Sequence, residues 1–444
     1  MKKTAAFLSL GCKVNSYETE AMRTMFETAG YQIVDFKEQA DVYVINTCTV
    51  TNIADRKSRQ MLHQAKKRNP NAVIAAVGCY VQAAEKTLME DISVDIVVGN
   101  NKKSDIVTMV ERFQSSNIKE ELIADIDNEK DYEALNVITT LDKTRAFIKI
   151  QDGCNRFCSY CIIPYVRGRV RSRKEEDILS EILNLALRGY KEFVLTGIHI
   201  SSYGTDWSHE GDRTDWTALA ELIIRTSQIE GIERIRLGSL EPRIITEEFV
   251  QAVAGVKKLC PHFHLSLQSG SNTVLNRMNR KYSAEEFYEK VLLLRKYFDL
   301  PAFTTDVIVG FPGETEEEFE ETKDFVKKIG FSHIHVFKFS KRAGTKAADM
   351  PNQVSEEIKN HRSNELIVLS EILSQEYKAL FLGRIEKILV EEEITIQGTN
   401  YQTGHNERYL KLAVTGATDL INSVVSAKIF SKLTDEILLC EITH

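Results

Sequence analysis

Short, wholly apolar runs alternate with helix-patterned stretches twice along this chain, and that alternation restricts the fold more than any other feature. In residues 1 to 113 the strand candidates are Ala5–Leu10, Asp41–Thr47 and Ala72–Val77, with helices expected over Ser16–Ala29 and Ile53–Arg68. Strands that are apolar on both faces and spaced by helices belong to a parallel sheet covered on both sides. From Ala146 to about Ser370 the alternation returns on a larger scale. The strands expected there are Ala146–Ile150, Phe193–Thr196, Arg234–Leu237, His262–Leu267, Thr304–Val309 and His333–Phe339. Six strand–helix repeats are too few for a closed eightfold barrel and predict a partial one, with chemistry at the carboxyl ends of its strands. After a helix near Ser363–Tyr377 the pattern changes. Gly383–Glu392, Gly404–Val414 and Ser426–Ile442 alternate β-branched residues between glycine turns, as a small antiparallel barrel does.

The expected fold is therefore α/β, in three units. An N-terminal open parallel α/β domain covers 1–113, a central partial (β/α)6 barrel covers 144–375, and a small antiparallel β-barrel covers 376–444. Between the first two, residues 114–143 are polar and acidic and read as a linker.

The cysteines fall at telling places in this frame. Cys12, Cys48 and Cys79 each lie one or two residues beyond a predicted N-terminal strand, at the rim where ligands collect in an open parallel sheet. The segment Gln151-Asp152-Gly153-Cys154-Asn155-Arg156-Phe157-Cys158-Ser159-Tyr160-Cys161 follows the first barrel strand. A tetrahedral zinc site wants four ligands, and no cysteine or histidine nearby supplies a fourth. Three thiolates suit a cubane iron–sulfur cluster with one iron left open. The alternatives are zinc, or cysteines that are simply buried in a reducing cell. Cys260 and Cys440 have no partner pattern.

Here a resemblance enters. The three-cysteine spacing, with Tyr160 before the last thiolate, resembles the signature of radical S-adenosylmethionine (SAM) enzymes. Its continuation through Ile162-Ile163-Pro164-Tyr165-Val166-Arg167-Gly168-Arg169 is similar to their methylthiotransferase branch. Leu10-Gly11-Cys12-Lys13-Val14-Asn15, Asn46-Thr47-Cys48-Thr49-Val50 and Val77-Gly78-Cys79 resemble that family's second cluster site, and the tail resembles a TRAM module. The resemblance implies two 4Fe-4S clusters, held by Cys12, Cys48 and Cys79 and by Cys154, Cys158 and Cys161, with SAM chelated to the open iron of the second. It implies reductive cleavage of SAM and sulfur insertion at a carbon, giving a methylthio group. In such enzymes the loops after the barrel strands hold SAM, which points to Gly197, Ser239, Glu241, Gln268 and Arg342. His262 and His264 alternate on one strand and read as structural.

Asn46-Thr47-Cys48-Thr49-Val50-Thr51-Asn52 and Gly197-Ile198-His199-Ile200-Ser201-Ser202-Tyr203-Gly204 look most like the branch acting on N6-threonylcarbamoyladenosine beside the anticodon of tRNA. The alternatives are the isopentenyladenosine branch, the branch acting on a ribosomal-protein aspartate, and a non-catalytic iron–sulfur or zinc RNA-binding protein.

Composition sets the remaining expectations. A net charge of −7 over 444 residues requires any RNA contact to come from local patches. Arg56, Lys57 and Arg59 on the second helix, and the run Arg167, Arg169, Arg171 and Arg173, are the candidates for phosphate contact. The alternatives are a solvated helix face and a charged loop. From Glu376 to His444 there are seven basic and ten acidic residues, so RNA contact in the tail would rest on a few groups such as Arg384, Arg408 and Lys411. Eight cysteines without an export signal point to metal chemistry in the cytoplasm. No apolar run reaches membrane-spanning length. The expected partners are tRNA, an external electron donor and a sulfur source, with no membrane.

Overall fold

The computed structural model describes residues 2–139, 144–207, 216–416 and 419–443. The N-terminal sheet is built from β1 (Thr4–Ser9), β2 (Gln32–Val34), β3 (Val42–Thr47), β4 (Val73–Gly78), β5 (Ile96–Val98) and β6 (Glu120–Leu122), in the order β2-β1-β3-β4-β5-β6. Every pairing in it is parallel. All residues of β3 and β4 are buried, because helices cover both faces. The order reverses between β1 and β3, which opens a crevice at their carboxyl ends. Helix α1 (Lys13–Thr28) leaves β1 there, and α2 (Asn52–Arg68) follows β3. Thr51 caps α2 by accepting the amide of Ala54. The short helix α3 (Cys79–Ala83) starts directly after β4.

The expected linker is largely built in. β6 lies within it and extends the sheet, while Ala124, Ile126, Leu135 and Val137 are buried. The polar and acidic composition of the stretch hid these scattered apolar anchors. Residues 140–143, the end of that stretch, lie outside the described residues.

The central unit follows with β7 (Arg145–Asp152), β8 (Arg171–Ser172), β9 (Glu192–Gly197), β10 (Arg234–Leu237), β11 (His262–His264), β12 (Ala302–Val309) and β13 (His333–Lys338). Its two sheets, β10-β9-β7-β8 and β11-β12-β13, are stitched by the bridges Ile235–Leu259 and Leu240–Leu265. The six main strands run parallel in one arc; among the described residues of this unit, only β8 pairs antiparallel, at the end of β7. Helices pack on the outside over Ile148, Leu195, Phe249, Phe287 and Val307. Two of them begin with reciprocal capping boxes, Ser283 with Glu286 and Thr315 with Glu318. The helix expected near Ser363–Tyr377 runs over Glu356–Ala379.

The tail closes as a barrel of β14 (Ile385–Ile396), β15 (Thr399–His405), β16 (Lys411–Val414), β17 (Val424–Lys432) and β18 (Ile437–Ile442). Its pairings are antiparallel except β16 with β18, which is parallel. A side chain at Gly404 would place its Cβ 1.8 Å from the Leu389 carbonyl oxygen, so only glycine lets β14 and β15 approach. The barrel seats on the amino ends of the arc: Arg234 donates to the carbonyls of His405 and Lys387, and Arg236 to those of Asn406 and Glu407.

Candidate functional site

The N-terminal cysteines meet at the sheet crevice. Cys12 is the residue before α1, Cys48 follows β3, and Cys79 opens α3. Gly11 sits at φ +98°, and a Cβ there would lie 2.6 Å from Cys48 Sγ. That approach, left-handed and within contact of sulfur, only glycine allows. We therefore expect Gly11→Ala to displace Cys48 and to halve the iron bound by the anaerobically purified protein, without loss of the central unit's iron; iron assay and thermal melting check it. Cys79 Sγ accepts from Arg167 Nε at 3.2 Å and from Asn100 Nδ2 at 3.6 Å. Burial, with added repulsion from the neighbouring thiols, pushes Cys48 up to about 12. Such a triad is ionised only when a cation neutralises it, which is what a metal cluster does.

The second triad sits on the loop leaving β7. The loop is fixed at many points. The amide of Cys154 donates to Gly168 O, that of Cys161 to Cys158 O, and that of Ser159 to Met278 O. Gly153, at φ +70°, packs so tightly that a Cβ would fall 1.8 Å from Arg169 O. Arg280 Nη1 donates to Cys158 Sγ at 3.4 Å. Burial raises Cys154 to about 11 and raises Cys161 as well.

One buried ion network lies between the triads. Arg167 donates to Glu18, Asp152 and Asn15 as well as to Cys79. Lys149 pairs with Glu18 at 2.7 Å and Asp152 at 2.6 Å, and Lys103 pairs with Glu18 at 3.3 Å. Arg171 lies 3.9 Å from Asp152. Two carboxylates thus face four buried cations. The excess positive charge complements thiolate ligands carrying a cluster, so the residues present fit the group. Burial alone would raise Asp152 and Glu18; Arg167 and the lysines outweigh it and hold both carboxyls well below the usual range.

This corrects part of the expected RNA surface. Arg167, Arg171 and Arg173 are buried and committed to internal partners. Arg173 binds Glu181, Tyr17 and Asn136. The run is not one extended segment: a helix covers Ile163–Arg167, Gly168 turns at φ +69°, and β8 begins at Arg171. Arg408 is likewise excluded, since it is buried and donates to the carbonyls of Asp299 and Leu300. Arg56, Lys57 and Arg169 are exposed, and Arg59 is partly covered, donating to Tyr80 Oη at 2.8 Å. Lys411 and Arg384 pair at the surface with Glu392 and Asp299.

The residues expected at the cofactor behave unevenly. Glu241, after β10, is buried within ion-pair distance of Arg156 (2.8 Å), His199 (3.1 Å) and Arg243 (2.8 Å). Gln268 holds φ +71° while its backbone pairs with Asp306 and Ile308 of β12. Gly197 ends β9 with Gln151 O only 2.9 Å from where its Cβ would be. Ser239 is exposed beside Glu241. Arg342 departs from expectation. It is buried and donates to Thr49, Asn52 and Asp55, tying the loop after β13 to the start of α2. Sequence reading missed Glu18, Lys103, Lys149, Asn100 and Arg280, which a helix or strand pattern alone presents as ordinary surface polar positions. The signal available was the charge of Glu18, on the α1 face shared with Ala21 and Met22.

Residues 148–326 match the Radical SAM superfamily, and residues 4–99 match the Uncharacterized protein family UPF0004. The threonylcarbamoyladenosine tRNA methylthiotransferase MtaB of Bacillus subtilis (strain 168) is 44% identical over 427 residues, spanning 96% of this chain and 93% of its own. The chain belongs to the radical SAM methylthiotransferase family. A second MtaB, from Aquifex aeolicus (strain VF5), is 41% identical across 91% of this methylthiotransferase and 97% of its own length. The tRNA-2-methylthio-N(6)-dimethylallyladenosine synthase of Thermoanaerobacter pseudethanolicus is 38% identical across 94% and 88%. Among solved structures, the radical SAM methyltransferase TsrM of Kitasatospora setae shares the fold at a TM-score of 0.57 and 13% identity, over 78% of this chain and 77% of its own. This methylthiotransferase uses SAM and 4Fe-4S clusters. No helix among the described residues is long and apolar enough to cross a membrane.

Proposed function

We propose that this enzyme adds a methylthio group to C2 of N6-threonylcarbamoyladenosine at position 37 of tRNA. The observation that carries the reading is the pair of separate cysteine triads whose flanking residues share one buried network through Arg167. Cys12, Cys48 and Cys79 would hold one cluster, and Cys154, Cys158 and Cys161 the other. When bound, the clusters and SAM supply the reducing electron, the methyl group and the sulfur. The protein's own residues fix and insulate that chemistry. Arg167 and Arg280 donate to one thiolate of each triad. Glu241, held ionised by His199, Arg156 and Arg243 against the effect of burial, offers an acceptor at the carboxyl end of β10, with Gly197, Ser239 and Gln268 on neighbouring loops. Arg56, Lys57, Arg59 and Arg169 would meet the RNA backbone.

The working units are 1–113 with β6 added, 144–375, and 376–444. The enzyme works in the cytoplasm with an external electron donor and a sulfur source. Both named MtaB relatives at 41–44% identity favour the threonylcarbamoyl substrate, and the 38% identical dimethylallyl relative keeps the isopentenyl substrate as the second reading. Mass spectrometry of tRNA nucleosides from a deletion strain separates them. The expected result is loss of the methylthio-threonylcarbamoyl nucleoside with accumulation of its unthiolated precursor. Loss of the methylthio-isopentenyl nucleoside instead would overturn the assignment.

A further inference from the structure

A cavity of about 390 Å³ opens between β11, β12, β13, the helix over Glu356–Ala379, the tail barrel and the start of α1. His262 and His264 project into it from β11, Thr304 and Asp306 lie beside them on β12, and His333 and His335 on β13. The intervening residues Phe263, Phe303 and Val307 face the opposite way, into the core. His405 and Tyr409 of the tail, stacked at 4.4 Å, close the far end. Lys13, adjacent in sequence to Cys12, reaches the cavity from the first turn of α1.

These groups are incompletely paired. Lys13 has no hydrogen bond or ion pair among the described residues, and the charges bearing on it are Arg236, Arg145, Glu192 and Asp306. His264 Nδ1 lies 3.0 Å from Thr304 Oγ1, whereas its Nε2 is buried without a hydrogen-bond partner, 3.4 Å from Asp306 Oδ2. His262 Nδ1 is also buried and unpartnered. Buried polar atoms in this state await a ligand or water that completes them. Lys378, Arg408, Lys411 and Glu436 complete the lining on the tail side; the free Lys13 ammonium, the imidazoles and the Asp306 carboxylate behind His264 suit a ligand bearing both an anion and neutral donors. A hydrocarbon tail would leave all of them unpaired, and a site built for hydrogen bonds rejects such an analogue strongly.

Resting on the threonylcarbamoyl reading above, we infer that this cavity receives the N6 substituent of the substrate base. Lys13 takes its carboxylate, and Asp306, His264 and His335 take its hydroxyl and N–H groups. The cavity is thereby the element that selects a threonylcarbamoyl over a prenyl group. The ligand atoms of His264, Asp306 and His335 also lie within 4.8 Å of one another, close enough for a divalent cation, but the nearby Lys13 and arginines oppose one.

The test uses the anaerobic, cluster-loaded full chain and anticodon stem-loop RNAs carrying either N6-threonylcarbamoyladenosine or its neutral carboxamide. Wild-type protein should bind the carboxylate form about tenfold tighter, the scale of one charge-assisted hydrogen bond. Lys13→Met should reduce that preference to about threefold or less, whereas His335→Gln should weaken both RNAs alike and keep the preference, with iron content unchanged in both variants. His335 is exposed and distant in sequence from the cysteines, so its variant keeps the test informative should Lys13→Met disturb the Cys12 site. Persistence of the full preference in Lys13→Met, unchanged affinity for both RNAs in His335→Gln, or a non-iron divalent metal that His335→Gln removes would each overturn the inference. If the cell's nucleoside profile instead shows no role on threonylcarbamoyladenosine, the substrate reading fails first.

Discussion

Cys158→Ala is expected to abolish SAM cleavage, while Cys48→Ala leaves cleavage intact and stops methylthiolation. The asymmetry follows from where the two residues stand. Cys158 lies in the loop at the carboxyl end of β7 and accepts from Arg280, and Cys154 of the same loop feels the charge of Glu241. Cys48 belongs to a different sheet and a different crevice, with Cys12 and Cys79 as its neighbours. Removing one thiolate from a three-ligand site costs the cluster it holds, since no other described cysteine stands near either triad. Methionine release measured by chromatography, beside product nucleoside, reads the two activities separately. Loss of both activities in both variants would show that the triads are not independent.

Much of this was legible before any coordinates. The apolar runs of β3 and β4 could only be central strands, and one or two residues past each strand's end located Cys48 and Cys79 on a common rim. The cysteine spacing after β7 spoke for itself. What stayed hidden was burial of charge. Arg167, Arg171 and Arg173 look in sequence like a phosphate path, because solvent exposure is the default for arginine. Their partners Glu18, Asp152, Glu181 and Tyr17 lie up to 156 residues away, and no local pattern announces a pairing at that range. The internal role of Arg342 was hidden for the same reason: its acceptors sit on α2 and in the turn just before it, 287 or more residues earlier.

Arg167→Met should destabilise the protein by about 3–5 kcal/mol, the cost of leaving buried charges without their partner, which lowers Tm by about 3–5 °C in a chain of this length. Arg167 is fully buried and holds Glu18, Asp152, Asn15 and Cys79 together. It joins the N-terminal sheet to the central arc, so its loss should also weaken iron retention at Cys79. Adding Glu18→Gln should cost less than the sum of the two single changes, because the second removes a charge the first left exposed to a dry interior. The same network sets a pH signature. Asp152 and Glu18 have folded pKa values below their unfolded ones. Their contribution is present above the unfolded values near 4 and is lost progressively as pH falls below them toward the folded values. Urea melts between about pH 3 and 6 should show a fall in stability that Arg167→Met makes shallower.

The central claim is that this one chain carries two independent clusters, one on each cysteine triad. Iron and acid-labile sulfide counted on anaerobically purified protein test it most directly. The wild type should hold about eight irons per chain, and each variant with one triad changed to alanine should hold about four. A wild type limited to about four, or a Cys12, Cys48 and Cys79 triple variant that loses all its iron, would contradict it.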